Sequence, residues 1–475
     1  MNHRLLVIAF LSAACSLWAQ ETPSEQIAAH SILQQRDQME KSLEISKWVA
    51  QAAADNSGRD RVVARARQLL ESELLAMGDD ITKNPEIGFK ETRSVEILTA
   101  YLQKHGFNVT KGVAGFPTAF VARFQGSRSG PNLGVIVEYD ALRGTMGPFH
   151  GDQHSTQGPV GLAAAVAMAE YLQSSHAPGS VIVYGTPAEE MMPAVKTIMY
   201  KAGVFDGADI IVRSHSTSPT SRPAPGFGTC CMNIDGVTYI YSGAPAHQLT
   251  SWNGRNALEA VIHLFSNIDS MRSSIRPEAR IQGIISEGGS APNVVPDRTV
   301  ANFYIRYPDS VYLGQLREMV DNAARGAALS TGTKLKIVED GADRDGISMA
   351  TLDELSFAYL RRYGATNLQD APGKPQGYEE TGSVSSNIPG LEVGAQTSTF
   401  PNHTYGMEKD ALAEVGHHGE IVDAETMTAV LFDFDQNAAY RAAVGREFSA
   451  LKQEFAAYQE ALEKSYIVPN VPDPK

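Results

Sequence analysis

Two polar clusters in the middle of the chain contain the residue types that bind metal ions and activate water. Asp152 and His154 stand in a glycine-containing turn ahead of an apolar helical segment, and Glu189 and Glu190 follow a short apolar strand. Because ligands in open α/β sheets bind outside the carboxyl ends of the strands, we expect both clusters to lie in one crevice. Asp, His and Glu side chains gathered there indicate a metal-dependent hydrolase.

Two histidines extend this set of possible ligands. His215 follows a predicted strand at 208–212, and His403 lies in a loop. Five ligands exceed the four positions of a tetrahedral ion, but they suit two ions about 3.5–4 Å apart that share a carboxylate. Neighbouring side chains diverge, so one residue of the Glu189-Glu190 pair can bind metal while the other takes a proton from water. The candidate ligands are Asp152, His154, Glu190, His215 and His403.

The positions of these residues are more informative than their types. A single histidine is usually structural or exposed, and a pair of glutamates usually belongs to a solvated surface. The turn from His150 to His154 would, by itself, be no more than an unusual turn. It is the combination of several such residues at predicted strand ends that favours a catalytic site.

Length, composition and charge limit the class of protein. A chain of 475 residues is long enough for two domains with sizeable cores. Hydrophobic residues make up 43% and charged residues 20%, which is an ordinary globular balance. The net charge of -14 argues against nucleic acid and anionic membranes as main partners, and favours a soluble protein.

The first 19 residues have the order of features found in a secretory signal peptide. Arg4 gives a positive start, 5–11 form an apolar core, and small residues lead to a candidate cleavage site at Ala19. The apolar run is too short to span a bilayer, and no later segment is long enough. We therefore expect a periplasmic or secreted protein without a transmembrane anchor. A lipoprotein is the less favoured alternative, because Ser12 stands where the lipidation box before Cys15 usually has Leu.

Cysteine usage argues against a disulfide framework. Once the signal peptide is removed, only Cys230 and Cys231 remain. Neighbouring cysteines pair only with strain, so an exported protein of this sequence must be stabilised by its core.

The predicted strands and helices of the first half alternate, which indicates an α/β domain with a mostly parallel sheet. Continuous apolar strands such as 133–137 are typical of a sheet that is buried on both faces. The predicted elements are strands at 116–124, 133–137, 180–184 and 208–212, and helices at 84–107 and 159–173.

A second pattern begins near Cys230, where polar and apolar residues alternate in the strands. Four strands and two helices indicate a small α+β sandwich with one sheet face open. The first pattern resumes after Gly341, so the small domain is inserted into the large one. Its predicted strands are 232–242, 279–285, 299–307 and 334–339, and its helices 256–271 and 312–328. The predicted boundaries are 1–19 for the signal peptide, 20–80 for an N-terminal helical extension, 81–228 and 341–436 for the catalytic domain, 229–340 for the inserted domain, and 437–475 for a helical tail.

Motifs spread over most of the mature chain resemble one enzyme family. They are NPEIGFKETRS from Asn84, GFPTAFVARF from Gly115, EYDALRG from Glu138, HGDQH from His150, GTPAEE from Gly185, GAPAH ending at His247, GRNALEA from Gly254, GGSAPNVVPD from Gly288, NHTY around His403 and GHHG from Gly416. In this order they resemble the dimetal amidohydrolase, aminoacylase and carboxypeptidase family, peptidase family M-20. The branch that they resemble most is the aminobenzoyl-glutamate hydrolase-like one.

This resemblance implies a role for each site residue. The five candidate ligands match the metal-ligand positions of the family, and Glu189 matches the general base. His247 and Asn293 lie in the inserted domain, which in this family also mediates dimerisation. There His247 would help bind the substrate carbonyl or the oxyanion, in its own or in the partner subunit's active site. Arg306 is a less favoured candidate for holding a substrate carboxylate.

One departure from the family pattern concerns the metal. This branch usually has His-Ala-Cys-Gly-His-Asn, whereas here Asp152 takes the Cys position and Ser155 the Asn position. A carboxylate can still bridge two ions, and it is harder than a thiolate, which shifts the preference toward Zn, Mn or Co. It also cannot be oxidised, which is an advantage outside the cytoplasm.

The resemblance therefore implies an exported hydrolase with two divalent ions. We expect it to cleave the amide bond of an N-acyl or aminoacyl amino acid through a metal-activated water, and to form a homodimer through the inserted domain. The alternative within enzymes is a dipeptidase or carboxypeptidase that acts on short peptides. A non-catalytic binding protein is less favoured, because the set of ligands and base is intact.

Overall fold

Two larger sheets organise the protein, as described by a computed structural model over residues 22–222, 225–228, 233–369 and 382–468. The predicted signal peptide, Cys15, Cys230 and Cys231 lie outside these residues. Among the helices of the described ranges, none combines the length and the apolar character needed to cross a bilayer.

The N-terminal region forms a series of helices that pack on the body. The first begins at a capping box, in which Thr22 Oγ1 accepts the amide of Glu25 and the Glu25 side chain accepts the amide of Thr22. Tyr458 of the last described helix donates to the carboxylate of Glu25 at 2.7 Å, so the first and last described helices are tied together. The helices are α1 (Pro23–Ser42), α2 (Ile45–Ala52), α3 (Ser57–Leu69) and α4 (Leu75–Lys83), with a π-helical turn at Leu70–Leu74 between the last two.

The large domain begins with a helix that is shorter than the sequence pattern predicts. The prediction was 84–107, but the helix starts only at Thr92, because Phe89 has a left-handed backbone (φ 66°) and Glu86 accepts the amides of Arg93 and Ser94. The elements are α5 (Thr92–Lys104), β1 (Asn108–Lys111), β2 (Phe120–Gln125), β3 (Asn132–Val137), β4 (Leu142–Gly144), β5 (Gly147–Phe149), α6 (His154–Ser175), β6 (Ser180–Gly185), α7 (Val195–Lys201) and β7 (Ile210–Ser214).

Helix α6 is the buried helix that follows the Asp152 turn. It begins at His154 rather than at the predicted Pro159. The chain enters it through Gln153, which has a left-handed backbone (φ 51°) and donates its side-chain amide to the carbonyl of Met407 at 2.7 Å. A tertiary contact therefore decides where the helix begins.

The inserted domain has the four strands and two helices that the sequence predicts. Thr299, Phe303 and Ile305 of its third strand are buried, whereas Tyr304, between the last two, is exposed on the open face. Its elements, with the short strands on either side of it, are β8 (Thr220–Ser221), β9 (Gly226–Gly228), β10 (Asn233–Ser242), α8 (Ala257–Met271), β11 (Arg280–Glu287), β12 (Arg298–Tyr307), α9 (Ser310–Thr331), β13 (Lys334–Asp343) and β14 (Gly346–Ser348).

The two segments that connect the large domain to the inserted domain lie side by side. β9 and β14 pair antiparallel, with Gly346 opposite Gly228 and Ser348 opposite Gly226. The remaining elements belong to the large domain and the tail: α10 (Ala350–Arg362), β15 (Leu368–Gln369), α11 (Gly382–Ser385), β16 (Gly390–Val393), α12 (Tyr405–Ala411), α13 (Glu414–Gln436) and α14 (Ala438–Ser465).

The central sheet is mixed. Its order is β1-β2-β6-β3-β7-β16, in which β6, β3, β7 and β16 are parallel and β1 and β2 join antiparallel at one edge. The inserted sheet has the order β11-β12-β10-β13 and is entirely antiparallel. The α/β fold with an inserted α+β domain is thus as predicted, with an antiparallel edge added to the parallel strands.

Candidate metal centre

The site lies where three neighbouring parallel strands end. β6, β3 and β7 are adjacent and run in the same direction, so their carboxyl ends meet at one edge of the sheet. The amide of His403 donates to the carbonyl of Gly151 at 2.8 Å, which brings the loop before α12 against the turn that holds Asp152. The residues that follow the strands are Glu138 after β3, Glu189 and Glu190 after β6, and His215 after β7.

Asp152 lies at the centre of the cluster. Its Oδ2 atom is 3.8 Å from Nε2 of His215, 4.0 Å from Nε2 of His154 and 3.4 Å from Nε2 of His403. On the far side, Nε2 of His403 is 3.5 Å from Oε2 of Glu190. One carboxylate oxygen therefore faces two groups of donors, one formed by His154 and His215 and the other by Glu190 and His403. The structure brings all five predicted ligands together in this way.

The ring nitrogens of two histidines are arranged as metal ligands require. Nε2 of His154 and Nε2 of His215 are buried without a hydrogen-bond partner among the described residues. Their Nδ1 atoms are occupied, since that of His154 lies 2.9 Å from Oδ1 of Asp140 and that of His215 lies 3.0 Å from the carbonyl of Ser216. Metal-binding histidines usually pair one nitrogen with a carboxylate or carbonyl and leave the other for the ion. The residues present therefore fit divalent ions.

A second carboxylate beside the cluster is less suited to bind an ion. Ligand atoms within 4.8 Å of one another form two groups, one of Asp152, His154 and Glu190 and the other of Glu138, His154 and His215. The oxygens of Glu138 are already paired, because it contacts a guanidinium and an ammonium group in the buried layer behind the site. Asp152 is therefore the better candidate for the shared ligand.

The charges of the cluster shift the pKa values of its members in opposite directions. Burial raises the pKa of Asp152, but His215 and His403 outweigh it and hold this pKa at about 2. Burial, assisted by Asp152 and Asp140, raises the pKa of Glu190 to about 8. Burial lowers the pKa of His154, but its hydrogen bond to Asp140 more than compensates and raises it to about 10. Without ions, a proton on His154 provides the positive charge that the carboxylates require.

These shifts predict that metal binding releases protons. Near neutral pH, Glu190 and His154 of the metal-free protein are below their pKa values of about 8 and 10, so both are protonated. Ligands must be deprotonated to bind, so the apparent affinity should rise with pH. Calorimetric titration of the metal-free protein with Zn²⁺ or Mn²⁺, in buffers of different ionisation enthalpy, should show net proton release. Affinity that stays constant between pH 6 and pH 9 would contradict this assignment.

Glu189 lies beside the ligands with its two carboxylate oxygens facing different groups. Oε2 is 3.8 Å from Nε2 of His154, and Oε1 is 3.9 Å from Nζ of Lys196. The preceding Ala188 has a left-handed backbone (φ 56°), and its amide donates to Oε1 of Glu91 at 2.7 Å. This turn directs the side chain of Glu189 toward the centre of the site.

The three residues predicted in the inserted domain do not join the cluster within one chain. The backbone pairs His247 with Val294, and the amide of Gln248 donates to the carbonyl of Asn293 at 3.1 Å, so His247 and Asn293 are neighbours on an exposed lobe. Arg306 lies on β12. Among the described residues, none of these three lines the cleft of about 940 Å³ between the metal-binding loop and the inserted sheet.

That cleft is bounded on one side by the loop after Glu190 and on the other by the open face of the inserted sheet. Its polar lining has charges of both signs, Arg143 on one wall and Glu339 and Asp340 on the sheet. The hydroxyl of Thr238 donates to Asp340 at 2.6 Å and accepts the side-chain amide of Asn302 at 2.7 Å. A polar surface within the open face therefore faces Glu190.

Several residues around the ligands were not predicted from the sequence. Asp140 holds both His154 through Oδ1 and the amide of Glu190 through Oδ2, and Asn402 donates to Oδ1 of Asp152. Asp140 follows an apolar strand, as Glu190 and His215 do, and this position is a signal that could have identified it. Lys196 lies inside a helical segment, where the sequence contains no such signal.

Comparisons with known proteins give the same result as the motifs. Residues 232–331 match the peptidase dimerisation domain of the M20 family. The chain is 29% identical over 394 residues to the Xaa-Arg dipeptidase of Mus musculus, covering 80% of this chain and 89% of that protein. It is 31% identical over 304 residues to one of the subunits of the p-aminobenzoyl-glutamate hydrolase of Escherichia coli, covering 61% of this chain and 62% of that one. The structure of an aminobenzoyl-glutamate utilization protein from Klebsiella pneumoniae has the same fold, with a TM-score of 0.58 at 20% identity over 78% of this chain and 98% of that one.

The matched domain and these similar hydrolases agree with the M20 peptidase family that the motifs of the chain resemble. The protein is a hydrolase of amide or peptide bonds that contains an M20-type dimerisation domain. Its fold, a central mixed sheet with a separate domain of this kind, is the one that the sequence predicted.

Proposed function

We propose that the protein is an exported amidohydrolase that depends on two divalent ions and cleaves the amide bond of an N-acyl or aminoacyl amino acid. The observation that supports this most directly is the single oxygen of Asp152 that faces the Nε2 atoms of three histidines at 3.4–4.0 Å. The relatives named above are hydrolases of such bonds. Zn, Mn and Co are the ions that this mixture of imidazole and carboxylate ligands favours.

The residues of the site divide the work of hydrolysis between them. Ions held by the five ligands would lower the pKa of a water molecule and polarise the amide carbonyl. Glu189 takes the proton of the attacking water and passes it to the leaving nitrogen. Asp140 keeps Nδ1 of His154 occupied, which leaves Nε2 for the ion. A donor from the inserted domain, His247, stabilises the oxyanion.

A screen of substrates and ions tests this proposal. Metal-free protein should be inactive, and addition of Mn²⁺, Zn²⁺ or Co²⁺ should give hydrolysis of N-acyl amino acids, aminobenzoyl-glutamate or dipeptides. Purified protein should contain two ions per chain by elemental analysis. A protein that holds no ions and hydrolyses none of these amides is a binding protein, and the proposal is then wrong.

A dipeptidase is the second candidate, and the cleft favours it. Its lining offers Arg143 for a carboxylate, and Glu339 and Asp340 for a cationic group. A dipeptide with a basic residue presents both groups, and two of the relatives are named Xaa-Arg dipeptidases. Comparison of kcat/KM for Xaa-Arg dipeptides and for N-acyl amino acids decides between the two substrates.

We further propose a homodimer that forms through the inserted domain. β11 is an edge strand with unpaired backbone groups, and Ile284 on it is 65% exposed. On the adjacent lobe, Leu249 is 71% and Trp252 is 74% exposed. Large apolar side chains exposed together mark an interaction surface, and a two-fold interface would cover them.

The position of His247 predicts that the active site is shared between subunits. His247 lies on the same exposed lobe and does not line the cleft of its own chain. His247→Ala should slow turnover without changing the metal content. Mixing it with inactive Glu189→Gln under conditions of subunit exchange should restore about a quarter of wild-type activity, because half of the dimers are mixed and each has one intact site. If exchange is demonstrated and activity does not return, His247 does not act across the dimer.

The signal-peptide features support export to the periplasm or beyond the cell. The mature protein should begin near Gln20, and N-terminal sequencing of material from the periplasmic fraction tests this. A mature chain that begins at Cys15 with a lipid-sized mass increase would identify a lipoprotein instead.

A further inference from the structure

A buried lysine lies directly behind the proposed base. Lys196 is 4% exposed and stands in α7, seven residues after Glu189. Its Nζ atom is 2.6 Å from Oε1 of Glu138 and 3.9 Å from Oε1 of Glu189. A buried ammonium is costly unless it is paired with carboxylates, so both contacts contribute to holding it there.

Glu138 is also paired with a second cation, Arg213. Nη1 of Arg213 donates to both oxygens of Glu138, at 2.8 and 3.0 Å, and Nε of Arg213 donates to Glu392 at 3.0 Å. The charges form a chain from Glu392 to Glu189, with Arg213 and Lys196 between the three carboxylates. Lys196 is the cation of this chain that lies next to the proposed base, with its Nζ atom 3.9 Å from Oε1 of Glu189.

The contact between Lys196 and Glu189 has a defined direction. The terminal torsion of a Glu side chain is broad, so the carboxylate needs a partner to fix its rotation. Oε1 faces Lys196, and this leaves Oε2 facing Nε2 of His154 at 3.8 Å. A cavity of about 10 Å³, lined by Glu189, Lys196 and Asp343 among others, adjoins the pair. It has room for about one water, which can bridge the 3.9 Å separation.

We propose that Lys196 is a positioning residue for the base: its ammonium fixes the carboxylate of Glu189 with Oε2 toward the ligands, and Glu138 holds the ammonium in place. This inference rests on the proposed function, because it assigns a role to the base of that reaction. It predicts that loss of the charge slows the chemical step and leaves substrate binding and metal binding intact.

Lys196→Met tests this, since Met has nearly the same length but no charge. We expect kcat to fall about ten- to a hundredfold, as for a misplaced catalytic group, with KM within about twofold of wild type. Elemental analysis should still find the wild-type number of ions. Lys196→Arg, which keeps the charge, should recover part of the loss. Lys201→Met, on the exposed end of the same helix, is the matched control and should have wild-type kinetics.

A double-mutant cycle separates positioning from a purely structural role. In the Glu189→Gln background there is no charged carboxylate to orient, so adding Lys196→Met should change the residual rate less than about twofold. If the lysine is purely structural, its loss should instead lower the melting temperature and the metal content. It should also lower the rate by a similar factor in the wild-type and in the Glu189→Gln background, and this result would overturn the inference. If Lys196→Met does not fold, Lys196→Gln, which keeps a donor for Glu138, gives the same comparison.

The proposed function and the role of Lys196 can be refuted separately. Wild-type protein without metal-dependent hydrolysis, or Glu189→Gln with wild-type activity, overturns the proposed function and this inference with it. Active wild type, inactive Glu189→Gln and fully active Lys196→Met leave the function standing and refute the role of Lys196 alone.

Discussion

Glu189→Gln is expected to lower kcat by roughly two to four orders of magnitude, which is the range that general base catalysis provides. The amide has the size of the carboxylate but cannot accept the proton of water. Glu189 is not among the five predicted ligands, whereas Oε2 of its neighbour Glu190 lies 3.5 Å from Nε2 of His403. The variant should therefore bind the same number of ions as the wild type, measured by elemental analysis beside the kinetics.

Glu190→Gln is the matched comparison, because it makes the same chemical change one residue away. It should lower the metal content, and its activity should recover in part when excess ion is added. If Glu189→Gln loses ions while Glu190→Gln keeps them, the roles of the two glutamates are reversed. Near-normal activity of Glu189→Gln would remove it as the base altogether.

Asp152→Ala is expected to lose at least one ion and nearly all turnover. The aspartate oxygen that faces His154, His215 and His403 disappears, and the three rings then lack the anion that they surround. Removal of one member of a buried charged cluster is strongly destabilising, so the melting temperature of the metal-free variant is a useful second measurement. Two ions per chain in Asp152→Ala would show that Asp152 is not the shared ligand.

Asp152→Cys is the informative partner of this variant. It restores the residue usual in the branch of the family that the motifs resemble. We expect it to keep activity and to shift the preference toward softer ions, because thiolate is a softer ligand than carboxylate. An activity profile across Zn²⁺, Mn²⁺ and Co²⁺ that is identical to that of the wild type would contradict this.

The two adjacent glutamates in the loop after β6 have different surroundings. Glu189 and Glu190 are held by different partners: the amide of Ala188 donates to Glu91, and the amide of Glu190 donates to Asp140. Adjacent carboxylates can then serve different roles because each has its own surroundings. Burial raises the pKa of Glu91 to about 7. The hydrogen bond that its carboxylate accepts from Ala188 should therefore weaken as the pH falls through this value.

The sequence alone was enough to predict that the candidate ligands come together, and most of the elements that carry them. Parallel strands place their carboxyl ends at one edge, so Asp, His and Glu residues after strands 133–137, 180–184 and 208–212 had to come together once the sheet formed. The elements of the inserted domain were equally predictable, because apolar residues recur with period two in its strands and with period 3.6 in its helices. These patterns are local in the sequence, and they predict the structure because they determine which face of each strand or helix is buried.

Only the tertiary structure decided which groups lie behind the ligands. Lys196 and Arg213 meet at Glu138, and Arg213 also reaches Glu392, 179 residues further along the chain. The antiparallel edge of the central sheet and the start of α6 at His154 depend in the same way on distant partners. Such contacts have no period in the sequence, because they depend on the close approach of side chains that the chain itself separates. The convergence of the candidate ligands was therefore predictable from the strands that precede Glu190 and His215, whereas the charged groups behind them became visible only in the packed structure.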